Sequence, residues 1–302
     1  METERFKLLD GSEVGTGLLM PTAAQQQLAM AAPVYGENFY LDPKDIEKAL
    51  KGDVYKTFRR LRAPYVLNQA NLGMCNAAAT VNAYHNRRNL DGLKHVPLSP
   101  NHLYMRINGG GDNGSALVDG LKEAGTNGVS PRQLKVDGKP VVFPWNVYNK
   151  RQISSQLLRE ADVAATSFLS YEAYRLPVDS YATFKIALAS ALARDHQVVM
   201  AWHVGNASMN LRNGYIVVGN GMGNHACLFH SAKWVGGEDL IAPDLENSWG
   251  GGNTDSMYGP PGTSWGEGGF GLMTLQDSFR VTKYHTFWVF PGNKMAFNKD
   301  AK

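Results

Sequence analysis

The sequence predicts an α+β protein, with a mainly helical first half and a β-rich second half. Three observations carry that expectation. Stretches rich in helix formers and free of glycine and proline lie before about residue 195; short β-rich runs punctuated by Gly, Asn and Pro follow it. The chain has 302 residues of which 43% are apolar, enough to bury a sizeable core.

Residues 1–50 read as an extension that wraps the main body or caps its site, because Gly11, Gly15, Gly17, Pro21 and Pro33 interrupt every pattern there. One short helix is expected at 43–51, with Asp42 as N-cap and Pro43 in the first turn. A buried central helix is expected from Cys75 to about residue 89, with Ala77, Ala78 and Ala79 allowing close packing. Further helices are expected at 99–107, 115–124 and 180–194, the last with apolar positions at 184, 187, 188, 191 and 192. Strands are expected at 197–203, 214–218, 226–229, 240–245, 269–275 and 286–290, forming an antiparallel sheet or barrel. No internal repeat or low-complexity tract is present.

A formal net charge of +3 falls short of the basic footprint of a nucleic-acid binder, so no nucleic-acid partner is expected; the clusters Arg59, Arg60, Arg62 and Arg87, Arg88 read as solvated faces. No apolar run approaches the roughly 18 residues of a membrane span. The N-terminus carries Glu2, Glu4, Arg5 and Lys7 without a following apolar region, so no cleaved export signal is expected. Two cysteines make no disulfide framework, which points to a reducing, intracellular compartment, with association with a virion as an alternative.

Cys75 stands at a helix start, where backbone N–H groups and the positive end of the helix dipole favour a thiolate. A thiolate that attacks a carbonyl needs a base, a group orienting that base, and donors for the oxyanion. His225 lies between the loop at 219–224 and an apolar run, at the mouth of a strand. Asn247 follows a strand and precedes Trp249, whose indole can shield an Asn–His hydrogen bond from water. Gln69, six residues before Cys75, can place its amide beside the Cys75 N–H as the second oxyanion donor.

These segments resemble the papain family of cysteine peptidases in order. Asn68 to Cys75 is similar to that family's nucleophile segment, Asn224-His225-Ala226 to its histidine segment and Asn247-Ser248-Trp249-Gly250 to its asparagine segment. The run Gly262 to Phe270, with Trp265, is similar to the glycine- and tryptophan-rich continuation, and Gly111 to Ser115 to the loop lining the substrate cleft. The resemblance implies a papain-like two-lobe fold for residues 51–302, with a helical lobe at about 62–180, an antiparallel β-barrel-like lobe at about 181–302, and the active-site cleft between them. It implies catalytic roles for Cys75, His225, Asn247 and Gln69, a substrate cleft at Asn113, Gly114 and Ser115, and supporting roles for Trp249 and Trp265.

Departures from the family pattern are specific. Leu72 and Asp112 stand where secreted members place disulfide cysteines, Asn76 replaces the aromatic residue that follows the nucleophile, and Ser115 replaces a cleft glycine. Residues 251–261 read as an insertion, and no helical inhibitory propeptide is recognisable before Cys75. Cys227 and the histidines other than His225 read as structural, and no metal spacing or cofactor motif is present, so none is expected. The expected function is a cysteine-type endopeptidase acting on a peptide or protein. The alternatives are a papain-like scaffold with weak or no activity serving a bacterial or viral assembly, and an acyl transfer other than proteolysis.

Overall fold

The computed structural model describes residues 3–8, 10–61, 65–166, 172–250, 256–259, 263 and 265–291. In chain order a small hairpin, β1 (Arg5–Lys7) and β2 (Glu13–Gly15), is followed by α1 (Ala23–Ala31), α2 (Pro43–Leu50) and α3 (Val54–Leu61). Next come α4 (Cys75–Leu90), α5 (Pro100–Ile107) and α6 (Leu117–Asn127), the hairpin β3 (Gln133–Val136) and β4 (Lys139–Val142), and α7 (Ser155–Ala165). The second half holds β5 (Tyr174–Arg175), α8 (Tyr181–Ala193), β6 (Gln197–Trp202), β7 (His225–Gly236), β8 (Leu240–Glu246), β9 (Phe270–Leu272), α9 (Leu275–Thr282) and β10 (Trp288–Phe290). The expected insertion at 251–261 and the end of the chain lie largely outside the described residues.

Six strands form one sheet in the order β5-β10-β6-β7-β8-β9, every neighbouring pair antiparallel. Of the expected antiparallel sheet or barrel, the described residues form the sheet without closing it: two-residue β5 and three-residue β9 end it on opposite sides and do not pair with each other. Short edge strands leave few unpaired backbone groups exposed. All six residues of β6 are buried, as a strand covered on both faces must be.

Helix α4 packs on β6 and β7 from one side and touches α5 and α6 on others. Its residues Cys75 to Arg87 are all buried. Ala77, Ala78 and Ala79 are all buried, small side chains that pack at little entropy cost around the start of this helix.

The run 214–218, expected as a strand, is irregular: Tyr215 makes only isolated bridges, to Arg212 and Leu272. The other expected helices and strands occur with ends shifted by a few residues, and β7 extends well past residue 229 to Gly236. Helix α1 was not anticipated although its start carries a capping box, Thr22 and Gln25 exchanging bonds of 2.7 and 3.3 Å.

Two buried carboxylates lie on β8. Asp244 accepts from Arg59 Nε at 2.7 Å and lies 2.9 Å from His230 Nε2. Glu246 accepts from Asn86 of α4 at 2.7 Å. Burial pushes the Glu246 carboxyl from 4.5 up to about 8, opposed by the Asn86 bond and helped by Asp244. The folded state therefore holds this proton where the unfolded chain has lost it, so the group increasingly destabilises the fold as pH rises from 4.5 to about 8. Glu246→Gln is expected to raise the denaturant midpoint near pH 9 and to change it little near pH 4.5. Equal shifts at both pH values, measured by equilibrium unfolding, would contradict a titrating buried carboxyl.

Candidate functional site

Cys75 is the first residue of α4, following a glycine-containing turn that ends in Met74. Its thiol is fully buried and lies among the backbone N–H groups of Ala226, Gly17, Asn76 and Cys75 itself. Ala226 is the second residue of β7, so the start of α4 and the start of β7 meet here, which brings Cys75 beside the segment that carries His225.

His225 Nε2 lies 2.7 Å from Asn247 Oδ1, and the Ser248 N–H donates to the same oxygen at 2.7 Å. An amide oxygen only accepts, so His225 carries its proton on Nε2 and presents the Nδ1 lone pair. That nitrogen is buried and has no hydrogen-bond partner among the described residues. The imidazole stacks on Trp249 with centroids 4.7 Å apart, and Trp265 meets Trp249 edge-on at 5.7 Å. Both indoles are fully buried, so water is kept from the His225–Asn247 bond.

Gln69 points its amide into the cleft, and Ser248 Oγ donates to its Oε1, which fixes the NH2 group outward from that bond. Gln69 Nε2 donates to Leu72 O at 2.7 Å and to Gly15 O at 3.0 Å. Trp249 Nε1 donates to the same Gly15 oxygen at 3.2 Å. A carbonyl oxygen of the chain's own N-terminal segment therefore occupies the Gln69 donor.

Residues 15–19 run through the cleft as a strap. Gly15 N donates to Ala70 O at 3.0 Å, Ser115 N to Gly17 O at 2.8 Å, Leu19 N to Ser115 O at 3.1 Å and Leu18 N to Asn224 O at 3.0 Å. The strap thus bonds both walls, and it runs parallel to the backbone at Ser115. Its approach excludes side chains: a Cβ on Gly17 would lie 2.1 Å from Gly73 O, and one on Gly114, which has φ +82, would lie 1.9 Å from Gly17 O. The hairpin β1–β2 continues the cover, with Glu4 accepting from Asn224 Nδ2 at 2.6 Å and Thr3 donating to Asp112 O at 2.5 Å.

Occlusion sets the electrostatics. Burial pushes the Cys75 thiol up to about 11, against the surrounding N–H groups that favour a thiolate. Burial also pulls His225 down to about 4, against the Asn247 bond. The expectation that the helix start lowers the thiol pKa is therefore reversed in this state, because loss of water outweighs a few oriented N–H dipoles.

Ser115 is buried and carries two of the strap's backbone bonds. Gly114 forms the tight wall described above, and Asn113 is exposed at the mouth of a cavity of about 240 Å³ shared with His203 and Met222. Asp112, at one position where the resemblance implies a disulfide, accepts from Gly73 N at 2.7 Å and from Tyr104 OH at 2.9 Å. That carboxylate ties together the two segments a disulfide would join. Sequence reasoning expected residues 1–50 to wrap the body or cap its site without giving the course of 15–19, and it missed the orienting hydroxyl of Ser248 and Trp202, whose ring lies 6.1 Å from His225 and whose Nε1 donates to Cys227 at 3.4 Å. No local pattern marks any of these, since each acts on a residue distant in sequence.

No protein-family model matches the sequence, and no curated protein matches it. Solved structures do. Xylellain, a cysteine protease from Xylella fastidiosa, is 18% identical with a TM-score of 0.57 over 97% of this chain and 100% of its own. The digestive procathepsin L2 proteinase of Tenebrio molitor larval midgut is 15% identical with a TM-score of 0.57 over 93% of this chain and 78% of its own. A procathepsin B from Trypanosoma congolense is 13% identical with a TM-score of 0.55 over 93% and 87%. With its α+β architecture and the start of the central helix set against the start of β7, the chain has the fold of the papain-like cysteine proteases.

Proposed function

We propose that the chain is a cysteine-type endopeptidase, held latent in the described state by its own residues 15–19. The observation that carries this reading is the meeting of a thiol at the start of α4 with β7, whose first residue is a histidine oriented through Nε2 by an asparagine. The substrate class is a peptide or protein, the ligand that a cleft bonding both sides of an extended backbone suits.

With the strap displaced, water reaches the cleft, and the burial that raises the Cys75 thiol and lowers His225 is relieved. Proton transfer from Cys75 to His225 Nδ1 then gives a thiolate and an imidazolium. The thiolate forms a C–S bond to the scissile carbonyl carbon, and the Gln69 amide, freed from Gly15 O, donates to the developing oxyanion. His225 gives its Nδ1 proton to the leaving amine as the C–N bond breaks. Water, deprotonated by the same nitrogen, cleaves the thioester and returns the thiol. In this pose the Gly17 N–H of the strap faces the Cys75 sulfur.

Full burial of Cys75 and its raised pKa favour a second reading, a papain-like scaffold used for binding without turnover. Two measurements separate them. In a Cys227→Ser background, Gly17→Ala is expected to expel the strap through the clash with Gly73 and to speed alkylation of Cys75 by at least about tenfold. An unchanged rate would sink the occlusion. In the Gly17→Ala, Cys227→Ser variant, alkylation is expected to persist well below the ordinary thiol range of about 8.5 and to lose that acid limb in His225→Ala. In the Gly17→Ala background, peptide hydrolysis is expected to vanish in Cys75→Ala and to fall by about a hundredfold or more in His225→Ala, with unfolding midpoints retained. An ordinary thiol titration with no turnover would support the binding scaffold.

A further inference from the structure

The two departures at Asn76 and Ser115 touch each other. Asn76, next after Cys75, is fully buried, and its Nδ2 donates to Ser115 Oγ at 3.0 Å and to Ala116 O at 2.6 Å. Gly120 on α6 leaves room for this amide, since a Cβ there would lie 2.7 Å from Asn76 Oδ1. Ser115 in turn offers its N–H and its C=O to the extended chain in the cleft, at 2.8 and 3.1 Å.

One short side chain therefore connects the residue beside the thiol to the backbone rim on which an extended peptide pairs. We propose that Asn76 is a positioning residue: through Ser115 and Ala116 it sets how deeply an extended backbone, whether strap or substrate, seats relative to Cys75. The proposal rests on the peptidase reading for its bearing on substrate, whereas its bearing on the strap stands on the contacts alone. The physical basis is satisfaction of buried groups. Without Asn76 Nδ2, the Ser115 hydroxyl loses its donor and the Ala116 carbonyl keeps only the Asp119 N–H at 3.0 Å, so the rim relaxes toward any other partner or toward water.

The test uses the full chain and amide hydrogen exchange, with Leu188 of α8 and Val199 of β6 reporting global opening. Asn76→Ala and Gly120→Ala are expected to speed exchange at Ser115 and Leu19 by about tenfold or more while Leu188 and Val199 are unchanged. Ser115→Ala, which keeps the Ala116 bond, is expected to have a smaller effect, and adding it to Asn76→Ala is expected to change nothing further. In the Gly17→Ala background, Asn76→Ala is expected to raise KM for a peptide by about tenfold with kcat within about twofold. Unchanged exchange at Ser115 and Leu19, or equal acceleration at all four amides, overturns the positioning role. Altered rim exchange in a chain that hydrolyses no peptide would instead overturn the peptidase reading and leave Asn76 as the setter of strap depth.

Discussion

Burial of α4 is the constraint on which the rest of the structure depends. From Cys75 to Arg87 no residue of this helix reaches solvent, so it needs walls on all sides: the sheet, α5, α6 and the loops between them. A helix held that way cannot slide, and neither can the thiol at its first residue. The opening residues of α4 and β7 meet, Cys75 against the Ala226 N–H. What looks like a local arrangement of cysteine and histidine is the end point of packing along sixteen helical residues.

Around that fixed end, glycine decides what can lie in the cleft. Gly17 and Gly114 meet backbone to backbone, and Gly73 approaches Gly17 as closely. Such a fit removes water, and the removal of water explains the neutral thiol and neutral imidazole together, without separate causes for each. The fold supplies oriented groups, and the strap sets their state. Asp112 shows the same economy of means: one carboxylate accepting from Gly73 and Tyr104 holds a wall that the resemblance would pin covalently.

Much of this was legible in the sequence because it is written in short-range patterns. Helices α4 and α8 follow from unbroken runs of helix formers, and β6 and β8 from apolar runs between turn residues. Gln69, His225 and Asn247 were singled out by residue type and neighbours, and His225 and Asn247 lie in hydrogen-bond contact in the structure. A wrapping or capping role for residues 1–50 was expected, but the course of 15–19 was not legible, since its grip consists of backbone bonds to Ala70, Ser115 and Asn224, more than fifty residues away. Residues 214–218 misled for the opposite reason: Tyr-Ile-Val-Val has strand propensity but pairs through isolated bridges only. Openness of the sheet likewise depends on how its outermost strands are placed, which propensity does not encode.

The strap and the cleft it fills are parts of one covalent chain, and that connection has a consequence for how the cleft can be emptied. A tethered ligand acts at an effective concentration set by its linker, on the order of millimolar for a short flexible one. Dilution does not lower that concentration, so the closed fraction is the same for one molecule as for a crowded solution. A competing peptide in solution must match the tethered local excess before it enters. Opening is therefore governed by whatever alters the strap's own bonds to Ala70, Ser115, Asn224, Gln69 and Trp249, and not by how much of the protein is present.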